Sequence, residues 1–111
     1  MIALFKTEEL IEFNKLEQYL KDNGYEYERH DRLPGIPENI EPVSDYHQLI
    51  VYKDGVRQWD VICHYGSYGY ADGLLEIYGN IVTEEDGDSV VGWLTADDVI
   101  QRLKGGTDGK V

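Results

Sequence analysis

The sequence is poorest in bases. Between Arg57 and Arg102 there is no lysine or arginine, yet the stretch holds nine carboxylates: Asp60, Asp72, Glu76, Glu84, Glu85, Asp86, Asp88, Asp97 and Asp98. Cysteine is nearly absent. Cys63 stands alone, which excludes an internal disulfide and makes a reducing cytoplasm the expected compartment. Proline occurs only at positions 34, 37 and 42, so the rest of the chain is free to form helices and strands. Long apolar runs are missing too. None approaches the roughly 18 residues of a membrane span. The opening residues Met1 to Phe5 have no basic flank and give way to Lys6, so no signal peptide is expected.

What is present is a globular composition with a strong charge. The 111 residues are 41% hydrophobic and include nine tyrosines, which is too apolar and too aromatic for a disordered chain. Against 22 acids stand 10 bases, a net charge of −12. Such a field repels nucleic acid and anionic membrane and attracts basic protein surfaces. Solubility alone accounts for acidity in many proteins. The long base-free stretch shifts the weight toward a dedicated acidic surface.

The order of elements is helix, strand, hairpin, helix, strand, helix. Residues 7–23 read as an amphipathic helix. Thr7 is its N-cap, Leu10, Phe13, Leu16 and Leu20 form its stripe, Ile11 widens that stripe, and Gly24 closes it. Residues 25–30 alternate as a strand with one aromatic and one charged face. Residues 31–45 form a long proline loop. Two strand-like runs flank Asp54 and Gly55, the preferred pair for a two-residue turn. In that reading Ile50 faces Trp59, and Ile50, Tyr52, Trp59, Val61 and Cys63 share one face. Leu74, Leu75, Tyr78, Ile81 and Val82 follow helical spacing. Residues 83–88 are an acidic turn and residues 89–94 a short strand. Thr95 with Asp98 forms a capping box for a last helix ending at Gly105 and Gly106. The expectation is an α+β fold: a small single domain over residues 1–104, with a mostly antiparallel sheet, a central Asp-Gly hairpin and about three helices. Residues 105–111 read as a flexible tail.

Candidate chemistry is sparse. Cys63 and His64 are adjacent, but neighbours in a strand point to opposite faces, so adjacency makes no dyad. His30, His47 and His64 match no metal-ligand spacing, and the acidic turn lacks the EF-hand pattern, so no metal is expected. Gly66, Gly69 and Gly73 are not spaced as a dinucleotide fingerprint and have no base nearby to hold phosphate. No cofactor is expected. No Ser–His–Asp set is evident. Asp60 and His64 share a strand face, which leaves an enzyme as the least favoured reading. The Gly/Tyr segment of residues 65–73 reads either as a demanding turn or as a contact surface. Tyr65, Tyr68 and Tyr70 beside Asp72 suit a partner bearing Arg or Lys.

The run Trp59-Asp60-Val61-Ile62-Cys63-His64-Tyr65-Gly66-Ser67-Tyr68-Gly69-Tyr70 carries a resemblance. So do Gly73-Leu74-Leu75-Glu76-Ile77-Tyr78-Gly79 and Ser89-Val90-Val91-Gly92-Trp93-Leu94-Thr95-Ala96-Asp97-Asp98-Val99-Ile100. Together, over roughly residues 45–104, they resemble small acidic proteins of unassigned activity carried by phages and conjugative elements of Gram-positive bacteria. The resemblance carries over no catalytic residue and implies a setting. Small acidic proteins on mobile elements are often anti-defence factors, including anti-CRISPR proteins and DNA mimics. The expected function is therefore a non-enzymatic inhibitor that occupies a basic, nucleic-acid-binding surface of a target protein. Tyr68, Tyr70, Asp72, Glu76, Glu84, Glu85, Asp86 and Asp88 are its contact residues. It neither binds nucleic acid directly nor meets a membrane. The alternative is a homo-oligomeric structural or regulatory module that uses the Gly/Tyr surface.

Overall fold

The structure is a computed structural model that describes residues 10–32, 35–40 and 46–106. Thr7, part of the proline loop and the end of the predicted tail lie outside these residues. Helix α1 (Ile11–Asp22) buries Phe13, Leu16 and Leu20 completely. Each such burial contributes about 1.5–3 kcal/mol. Ile11 was expected to widen this stripe but is 62% exposed. At roughly 100° per residue it lies almost opposite the line through positions 13, 16 and 20. Leu10 occupies the N-cap position, and Gly24, at φ +72, follows the C-cap Asn23.

Five strands follow: β1 (Glu26–His30), β2 (Gln48–Lys53), β3 (Val56–Ile62), β4 (Leu75–Gly79) and β5 (Val90–Leu94). They lie side by side in chain order, each antiparallel to the next. Asp54 (φ 53) and Gly55 (φ 80) turn the chain between β2 and β3, with Lys53 opposite Val56. Leu49, Val51, Trp59, Val61, Cys63, Leu75 and Ile77 face the helices. There they join α1 and the Ala96, Val99 and Leu103 side chains of α2 (Ala96–Gln101) and the wide turn after it in one core.

The α+β character stands, with two α-helices among the described residues where about three were expected. The third, expected over positions 74–82, is strand β4. Leu75 and Ile77 are buried while Tyr78 is exposed, a period of two. Gly79 decides the matter. It sits at φ +116, and a Cβ there would lie 2.5 Å from the Cα of Trp59, so the strand meets β3 backbone to backbone.

The strand faces also differ from expectation. Val51 pairs with Trp59 and Tyr52 with Arg57, so Gln58 is an extra residue in β3. This bulge slips the register by one, and Ile50 pairs with Asp60 instead of Trp59. Leu49 and Val51 therefore share the core face with Trp59, while Ile50 and Tyr52 turn to the other side. The capping box of α2 is formed: Asp98 N–H donates to Thr95 Oγ1 (3.1 Å), and Thr95 N–H donates to Asp98 Oδ2 (2.9 Å).

Candidate functional site

Both helices pack on one face of the sheet. Among the described residues no helix covers the other face, which carries Gln48, Ile50 and Tyr52, then Asp60 and Ile62, then Glu76 and Tyr78. Its centre is polar. Tyr46 OH donates to Gln48 Oε1 (2.9 Å), and Gln48 Nε2 donates to Asp60 Oδ2 (2.9 Å). Asp60 is only 6% exposed. Its Oδ1 makes no hydrogen bond among the described residues and lies 3.3 Å from Arg57 Nη2. In a regular strand, residues three apart point to opposite faces. The extra residue Gln58 brings Arg57 and Asp60 to the same side. Beside them the rings of Tyr46 and His64 stack, 4.9 Å apart and 7° from parallel.

At the border of this face lies an aromatic pair that sequence reasoning missed. Tyr68 and Trp93 stack with ring centroids 5.0 Å apart and planes 11° from parallel. They are 50% and 60% exposed. Leu75 pairs with Leu94 and Ile77 with Val91, so Gly92 and Trp93 together oppose Glu76 in a second bulge. Gly92 is needed there because a Cβ would fall 2.2 Å from Tyr68 Cβ. Trp93 takes φ 55 within the bulge. Glu76 accepts a hydrogen bond from the Tyr68 N–H (2.8 Å). The one available sequence signal was a glycine inside a short strand next to a tryptophan, which marks a bulge.

The eight residues expected to contact a partner divide into two groups and two exceptions. Tyr68 and Asp72 lie in the segment before β4, and Glu76, at the start of that strand, bonds the Tyr68 amide. Glu84, Glu85 and Asp88 lie beyond its far end, in and after the short 3₁₀ turn Glu84–Asp86. A five-residue strand separates the groups, roughly 15 Å of chain. Asp72, Glu84, Glu85 and Asp88 are exposed. Glu84, Asp88 and Tyr78 share a shallow hollow of 450 Å³. Tyr70 is an exception, at 7% exposed in the core with its ring perpendicular to that of Tyr65. A buried ring offers no surface to a partner.

Asp86 is the second exception. Arg102 Nη1 donates to its Oδ2 (2.9 Å) and Nη2 to its Oδ1 (2.8 Å), while the Thr83 N–H donates to Oδ2 (2.7 Å). The Arg102 guanidinium, then the Thr83 amide, hold this carboxyl well below the usual carboxylate range. Asp86 is thus an internal anchor.

The four arginines share this fate. Arg29 bonds Glu17, Asp31 and Asn14, and Arg32 donates to the carbonyls of Pro37 and Ile40. Arg57 meets Asp60, and Arg102 meets Asp86. Lys15 also pairs with Asp97.

Cys63 is fully buried, and among the described residues no cluster of His, Cys, Asp or Glu is placed to hold a metal ion. Nor is any helix among them long and apolar enough to cross a membrane. No protein-family model, curated protein or solved structure matches the chain.

Proposed function

We propose that this chain is a small acidic binding domain, not an enzyme, that occupies a basic nucleic-acid-binding surface of another protein. In this reading carboxylates along the β4–β5 border stand in for phosphates, in the manner of an anti-CRISPR-type or other DNA-mimic inhibitor from a phage or mobile element. One observation supports it most: all four arginines are engaged within the chain. With its arginines paired within the chain, the molecule presents an excess of acid, notably Asp72, Glu84, Glu85 and Asp88. Two acidic groups separated by the length of a five-residue strand suit a basic groove better than a single basic residue.

A second reading, self-association, draws on the exposed rings of Tyr78 and Trp93. A net charge of −12 on each copy opposes it at low salt. The test is affinity capture from a Gram-positive lysate at low and high salt, with wild type and a Glu84/Glu85/Asp88→Lys variant as baits. The mimic reading expects a nucleic-acid-binding protein that is displaced by duplex DNA, released at high salt and lost with the variant. Equal recovery by both baits would sink it. A defined dimer by sedimentation at low salt, with no captured partner, would favour self-association.

A further inference from the structure

Trp93 holds a left-handed backbone conformation, φ 55, that a bulky side chain adopts only when its surroundings impose it. The glycine that could take that conformation freely stands one position earlier. There it serves another purpose, admitting Tyr68 against the strand. Tyr68 in turn fixes the bulge by accepting a hydrogen bond from the Trp93 N–H (3.3 Å) and by stacking on the indole. The outcome is a strained tryptophan that presents more than half of its surface to solvent, where burial cannot offset the strain. Bulges re-aim side chains beside functional sites, and strain of this kind collects there.

We propose that Tyr68 and Trp93 form the anchoring subsite for an arginine side chain of the basic partner. The guanidinium lies on the exposed ring surface and Glu76 supplies the counter-charge. This inference rests on the reading of the chain as a binder of a basic surface. An indole face attracts cations. Glu76 is fixed through one carboxylate oxygen by the Tyr68 amide and lies opposite the Gly92–Trp93 step. Arginine fits better than lysine because its flat guanidinium both stacks on a ring and forks onto a carboxylate. A nucleobase would also stack, but the charge of −12 repels the phosphates that come with it.

The test uses an oligoarginine peptide and an oligolysine peptide of equal length at low salt, read through the tryptophan indole NMR signals. Trp59, 3% exposed, is the internal reference. Oligoarginine should shift the Trp93 signal and leave that of Trp59 in place. Trp93→Gly should weaken oligoarginine binding by roughly tenfold and oligolysine binding far less. Its melting temperature should equal or exceed that of wild type, because glycine relieves the left-handed backbone. Tyr68→Leu should lose part of the arginine preference with its fold intact. If Trp93→Gly binds oligoarginine as wild type does, the subsite is overturned while the acidic-surface reading stands. If Trp93→Gly melts lower, the indole is there for packing and the proposal fails. If neither peptide binds wild type, both readings fall. A Trp93 shift caused by single-stranded oligonucleotide instead of peptide would also overturn the proposal.

Discussion

Arg102 grips Asp86 with both terminal nitrogens, joining the turn after α2 to the acidic turn that precedes β5. Both side chains are at least three-quarters buried, and the same arginine donates to the Ile81 carbonyl (3.0 Å). Asp86→Asn keeps the shape but loses the charge-assisted bonds, and should cost about 2 kcal/mol at neutral pH. Chemical denaturation of the two proteins measures the difference.

The same pair has a pH signature. Asp86 is depressed in the folded protein, first by Arg102, against about 3.9 when unfolded. Its contribution is therefore complete above the unfolded value and is lost as pH falls toward the folded one. The stability gap between wild type and Asp86→Asn should stay constant from neutral pH down to about pH 5 and narrow below pH 4. A gap that does not change with pH would assign the loss at neutral pH to shape instead of charge.

Gly79 lies against the backbone of Trp59, with no room for a methyl group and at a φ that other residues avoid. Gly79→Ala should destabilise the fold by at least about 2 kcal/mol through crowding and strain together. Thermal melting shows the size of the loss, and an Ala variant as stable as wild type would remove the close approach of β4 to β3.

Arg57 and Asp60 should behave as a coupled unit. Arg57→Gln leaves the buried Asp60 carboxylate with Gln48 as its remaining hydrogen-bond partner and should cost about 1–3 kcal/mol. Adding Asp60→Asn should recover part of that cost, because no charge is then stranded. A double-mutant cycle reads the coupling directly, and strictly additive effects would show that the two do not interact.

Cys63 should not react with a thiol reagent in the native protein and should react fully in denaturant, since its side chain is inaccessible and packed in the core. Rapid labelling without denaturant would show that the core opens readily.

Where one period dominates, the sequence reads correctly. Positions 13, 16 and 20 can only be a helical stripe, and they lie on the core side of α1. Residues 74–82 satisfied two periods at once. Leu74, Leu75, Tyr78, Ile81 and Val82 fit a helix, while Leu75 and Ile77 fit a strand. The positive φ of Gly79 chose between them, and spacing does not reveal it. Bulges are equally silent. One extra residue at Gln58 exchanged the faces of Ile50 and Leu49, and another at Gly92 and Trp93 placed an exposed indole where an ordinary short strand was read. In the candidate site, exposed acids such as Glu84 and Asp88 were legible from composition. The binding of Asp86 to Arg102, 16 positions away, needs the fold to be seen. Tyr70 looked like its neighbours Tyr65 and Tyr68 because nothing in a Gly/Tyr run says which ring turns inward.

Each strand of the sheet pairs with the strand just before it along the chain. Folding can therefore proceed hairpin by hairpin, with most loop closures short and entropically cheap. The widest closure brings α1 to α2, where Glu12 accepts from the Ala96 N–H and Lys15 meets Asp97, 84 and 82 positions apart. That contact completes the core under the sheet and draws the first and last described helices together. A circular permutant opened between Asp54 and Gly55 would keep every strand ladder and turn the last contact to form into one of the first.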